Sequence, residues 1–111
     1  MIELVIKNYL DGHLDAPSFF EHQNGLKGKY VLVEKLSGGK KNMLNSSVFA
    51  FQSYADSLFE SAQLNEQVKE VVEAMIELPE ITGIQLNSDC NFTDTQTKKY
   101  RYQAVFDINY Y

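Results

Sequence analysis

The sequence predicts an α+β fold: a mostly antiparallel sheet of four to five strands with two helices packed on one face. Three observations point there. The last quarter of the chain alternates strictly in polarity, two segments carry apolar residues at helical spacing, and two β-rich runs flank a Gly-Gly pair.

Taken in order, Ile2, Val5, Ile6, Tyr9 and Leu10 fall at i, i+3, i+4, i+7 and i+8, the apolar stripe of an amphipathic helix. Gly12 is placed to end that helix, with Pro17 as a further stop. Residues 16–22 read as a short strand that Pro17 confines to an edge or to its first position. Residues 30–35 are β-rich between Gly28 and Gly38 and form a strand. Residues 37–42, with two glycines and two lysines, read as a mobile basic loop. Residues 44–54 alternate again and complete an antiparallel hairpin, with Phe49 and Phe51 on its core face.

Residues 56–78 form the main helix, with Phe59, Ala62, Leu64, Val68, Val71, Val72, Met75 and Ile76 as its apolar stripe. Asn65 is a candidate internal cap that would split it. Its polar face is acidic, with Lys69 as the one base, and Pro79 stops it. Residues 81–87 begin a further strand, and the polar cluster at 93–98 has the composition of a hairpin turn. The chain then closes on a central or near-central strand. Tyr100, Tyr102, Ala104, Phe106, Ile108 and Tyr110 share one face, and Arg101, Gln103, Val105, Asp107 and Asn109 share the other.

One domain accommodates all 111 residues, with no linker, repeat or low-complexity segment. A net charge of −5 weighs against a general nucleic-acid binder, because neutralising phosphates needs a basic surface. The single cysteine, Cys90, cannot staple the chain and points to a reducing compartment. No apolar run approaches the ~20 residues of a membrane span, and the N-terminus lacks the signature of a signal peptide. A soluble intracellular product is expected.

Catalytic constellations are weak. His13 and His22 lack a partner at metal-ligand spacing and read as surface histidines. Cys90 follows Asp89, which would raise its thiol pKa, so it reads as a small strand hydrophobe rather than a nucleophile. The Ser37-to-Lys41 segment lacks the spacing of a phosphate-binding loop, and its Lys40 and Lys41 are candidate partner contacts. The acidic helix face is ordinarily a solvated face. No enzyme, metal or cofactor is expected.

Three strings carry a resemblance. Tyr30-Val-Leu-Val-Glu-Lys-Leu-Ser-Gly-Gly39 is the first, and Ala50-Phe-Gln-Ser-Tyr-Ala-Asp-Ser-Leu-Phe-Glu-Ser-Ala62 is the second. The third is Asn91-Phe-Thr-Asp94 followed by Lys99-Tyr-Arg-Tyr-Gln-Ala-Val-Phe-Asp-Ile108. Together they resemble the small tail-terminator, or tail-completion, proteins of long-tailed phages and prophages over nearly the whole chain. The resemblance implies an α+β subunit that assembles into a ring, typically a hexamer. Such a ring caps the tail tube in the neck of the virion, stops tube growth and offers a surface to the head connector, and DNA passes through its lumen. It implies no catalytic residue and no cofactor.

A ring needs a heterologous interface, one patch against a different patch of the next copy. Strand faces carrying Tyr54, Tyr100, Tyr102 and Tyr110 are the candidate contacts, since tyrosine is enriched at interfaces, with Arg101 beside Tyr100 and Tyr102. The same alternation equally predicts tyrosines that roof the monomer's own core. Two readings from other classes stay open: a small host or prophage binding module using an exposed sheet face, and a small enzyme built on Cys90 and a histidine.

Overall fold

A computed structural model describes residues 1–22, 25–41, 43–94, 96 and 99–111, and only the backbone of Lys41. Helix α1 (Ile2–His13) opens the chain and buries Ile2, Ile6, Tyr9 and Leu10, the stripe its spacing predicts. Gly12 lies inside this helix and does not end it; the Leu14 N–H closes the last turn on the Leu10 carbonyl at 2.8 Å. A two-residue strand β1 (Ser18–Phe19) follows Pro17 and sits at the sheet edge.

The hairpin is longer than its glycines suggest. Strand β2 (Tyr30–Lys41) runs straight through Gly38 and Gly39 and pairs with β3 (Leu44–Ala55) to its last residue. Gly38 and Gly39 face Ser47 and Ser46, so the expected mobile loop at 37–41 is strand instead; Asn42 lies outside the described residues. The reason is local packing. A Cβ at Gly38 would stand 2.9 Å from Lys35 Cε, so the glycine makes room for the lysine stem to cross the strand. A bulge at Leu36 absorbs the register shift. Met43 closes the turn at φ 68°, a left-handed conformation that a side chain disfavours.

Helix α2 (Leu58–Ala74) is capped by Ser57, whose side chain accepts from the Glu60 N–H at 3.1 Å, and a 3-10 turn (Met75–Glu77) continues it. Two expectations are corrected here. Asn65 does not interrupt the helix; it is buried within it and donates to Asp89 Oδ1 at 2.8 Å. Nor are Phe59 and Ile76, at opposite ends of the expected stripe, core residues: they are 72% and 51% exposed. Lys69 reinforces the link to the sheet, meeting Asp89 at 2.5 Å and Glu66 at 2.8 Å. Both carboxylates raise the lysine's pKa above its ordinary value.

Strands β4 (Ile81–Asn91) and β5 (Tyr100–Tyr110) form the closing hairpin. Asp94 and Lys99 bridge at its end; of the expected turn, Thr95, Thr97 and Lys98 lie outside the described residues. The sheet order is β1-β2-β3-β5-β4, with only the β1–β2 pair parallel, and β5 is near-central as its alternation predicts.

Both helices cover the same face. Phe49, Phe51, Phe106 and Ile108 from the sheet meet Ile6 and Leu10 of α1 and Leu64, Val68 and Val72 of α2 in one core. Each of these side chains, fully buried, contributes roughly 1.5–3 kcal/mol of transfer free energy. Among the described residues the opposite face carries no helix, and it holds a small second cluster of Tyr30, Leu32 and Tyr54. Among the described residues no helix is long and apolar enough to cross a membrane.

Candidate interaction surface on the open face of the sheet

Strand pairing decides which predicted contacts can meet. Tyr54 stands opposite Tyr30 on one side and Arg101 on the other, so these three side chains line up on the face away from the helices. The Tyr30 and Tyr54 rings stack at 4.7 Å between centroids and 7° between planes. Arg101 Nη1 donates to the Tyr54 hydroxyl at 2.8 Å, and Arg101 Nε donates to the Phe92 carbonyl at 2.7 Å. The guanidinium also lies 4.7 Å from the centre of the Phe92 ring, a cation–π contact that fixes its plane.

The Tyr54 hydroxyl is the hub. It accepts from Arg101, and its own proton points to His22 Nε2 at 3.2 Å or Gln52 Oε1 at 3.4 Å. Gln52 continues the row by donating to Gln103 Oε1 at 3.0 Å. Burial, and then the charge Tyr54 would carry, push the Tyr30 phenol above its ordinary pKa, with Arg101 opposing. The Tyr30 hydroxyl therefore stays neutral in the physiological range. A cleft of about 530 Å³ opens beside the stack, rimmed by His22, Lys27, Asp56 and Lys99. Gly25 and Gly28 shape its wall in the left-handed backbone region that glycine tolerates.

The other predicted contacts lie apart. Tyr102 pairs with Ser53 and so takes the helix side, and Tyr100, two residues before it, shares that side beyond the core; both are half-buried. Lys40 is exposed at the far end of the β2–β3 hairpin, and Lys41 is described only in its backbone, opposite Leu44. These six candidates therefore form no single patch: Tyr54 and Arg101 meet, and the other four do not join them. Sequence reasoning missed Tyr30, His22, Phe92, Gln52 and Gln103. A two-residue turn after Lys41 alone would set Tyr30 opposite Ala55; the bulge at Leu36 moves it to Tyr54, and with residues 37–42 read as a loop neither feature was visible.

The chemistry candidates separate as well. His13 Nδ1 contacts the Tyr9 carbonyl at 2.8 Å and its ring stacks on Tyr9, so it serves the end of α1. Cys90 is exposed on β4, opposite Gln103 on the open face, and is not the buried strand hydrophobe its context suggests. Among the described residues no three His, Cys, Asp or Glu side chains gather as metal ligands.

No family model matches the chain. No curated protein matches it either.

Proposed function

We propose that this chain is a tail-terminator subunit: a structural protein that forms a ring at the head-proximal end of a phage tail tube, stops tube growth and offers the surface to which the head joins. The charge of the open sheet face carries the reading. Between Arg101 and the β2–β3 turn, the charged side chains described on that face are Glu34 and Asp107, set among Gln52, Gln85, Gln103 and the apolar Val48, Ala50 and Val105; Lys41, described only in its backbone, holds a position of the same face beside the turn. A face whose middle carries two acids, with its basic residues at the ends, suits the wall of a channel through which DNA slides, because it offers phosphates little counter-charge. The thick helix layer on the opposite face would lie outward in such a ring. The order of elements and the three sequence strings support the same assignment.

The test is tube growth. Purified protein added to polymerising tail-tube protein should cap the tubes and shorten them in a dose-dependent way. Tubes of unchanged length at saturating protein would contradict the proposal.

A second reading draws on the cleft beside Tyr54, whose histidine, lysines and aromatic wall suit a monomeric binding module. A monomer that leaves tubes untouched would favour it.

A further inference from the structure

The four long strands of this sheet alternate in direction, and both outer ones are open along most of their length. In the order β2-β3-β5-β4 every neighbour is antiparallel, so β2 and β4 run oppositely. Strand β1 pairs with β2 at Val31 and Leu32, and among the described residues nothing pairs with the outer edge of β2 from Val33 to Lys41. Strand β4 has β5 on one side and nothing on the other among the described residues.

A row of unpaired backbone groups is a template for another strand, and monomeric proteins usually guard such rows with lysine or proline. Over its eleven residues β4 has neither; bulges, which also blunt an edge, occur at Thr82 and Asn87, with a regularly paired stretch from Gly83 to Leu86 between them. Its one charge is Asp89, already paired with Lys69 on the helix side, with Glu80 just before the strand, whereas the stretch of β2 beyond Leu32 carries three lysines against Glu34. The edges therefore differ in charge as well as direction. Rotating one copy onto the next about an axis along the strands brings β4 beside the neighbour's β2, antiparallel, and continues the alternation without a break.

Resting on the ring reading above, we infer that copies of this chain join by antiparallel pairing of the outer edge of β4 with the outer edge of β2 beyond Leu32 in the next copy. The contact is heterologous, so repeating it builds a ring where its rotation closes, not an isologous dimer. It makes one continuous sheet, with every open face turned the same way.

Disulfide trapping tests the contact. In a Cys90→Ser background, Gln85→Cys is combined in turn with Glu34→Cys, Ser37→Cys or Gly39→Cys, all on the open face. Gly39 has space for a Cβ, with no atom within 4 Å. After oxidation, at least one pair should give a ladder of covalent multimers on a non-reducing gel, and each single-cysteine variant should not. In unmodified protein, edge amides of β4 should gain hydrogen-exchange protection on assembly, a readout that needs no variant. A wild-type ring by light scattering, with no ladder from any pair and no gain in protection, overturns the edge contact and leaves the ring intact. Dimers from Gln85→Cys alone would overturn it in favour of β4 against β4. A monomeric mass at every concentration would overturn the ring reading itself.

Discussion

Arg101 Nη1 donates to the Tyr54 hydroxyl at 2.8 Å across directly paired positions of β3 and β5. The bond ties two strands separated in the chain by the whole of α2, and it anchors a cluster with only 2% of Tyr54 exposed. Its energy is measurable. Tyr54→Phe and Arg101→Met should each destabilise by about 1–3 kcal/mol, as expected for a charge-assisted bond with one partner buried. A double-mutant cycle in urea should return a coupling of at least ~0.5 kcal/mol. Additive effects would mean that the contact contributes no net stability.

The two phenylalanines of the second resembling string should behave oppositely. Phe51 is fully buried in the core, and Phe51→Ala should cost about 3–5 kcal/mol. Phe59 is 72% exposed, and Phe59→Ala should change stability by less than ~0.5 kcal/mol. Chemical denaturation of the monomer reads both. A large loss at Phe59 would place it in a core that the structure denies it.

Much of this arrangement was legible in the sequence. The stripe of α1, the alternation of β5 and the pairing of the two β-rich runs follow from spacing alone, because each is a local pattern with one face buried. Phe59 misled because a helical stripe does not say where the neighbouring layer ends. Asn65 read as a cap because its true partner, Asp89, is 24 residues away on another element. Gly38 and Gly39 read as a loop because their strand pairing depends on how tightly the chain turns after Lys41. Tyr54 and Arg101 were each visible as candidates. Their meeting was not, since it depends on the register between two strands that are not consecutive in the chain.

The turn at Met43 offers a gain in stability. A left-handed φ of 68° on a side-chain-bearing residue costs roughly 1 kcal/mol relative to glycine. Met43→Gly should therefore raise the urea midpoint by an amount of that order, since Asn-Gly is the favoured pair for a two-residue hairpin. A lower midpoint would show that the methionine contributes packing the turn needs.

The clamp between α2 and β4 sets an alkaline limit. Hydrogen bonds to Asp89 and then Glu66 raise the pKa of Lys69 above its unfolded value. The stability it contributes is thus fully present below the usual lysine range and is lost as pH rises through the raised folded value. Lys69→Met should lower stability at neutral pH and flatten this alkaline fall. An alkaline limb identical in both proteins would assign the fall to other groups.

The central proposal, that this subunit ends tail growth, is tested most directly by electron microscopy of particles from a phage with a nonsense mutation in this gene. The account expects tails of uncontrolled length that are not joined to heads, with full heads accumulating beside them. Tails of normal, uniform length attached to heads would contradict it.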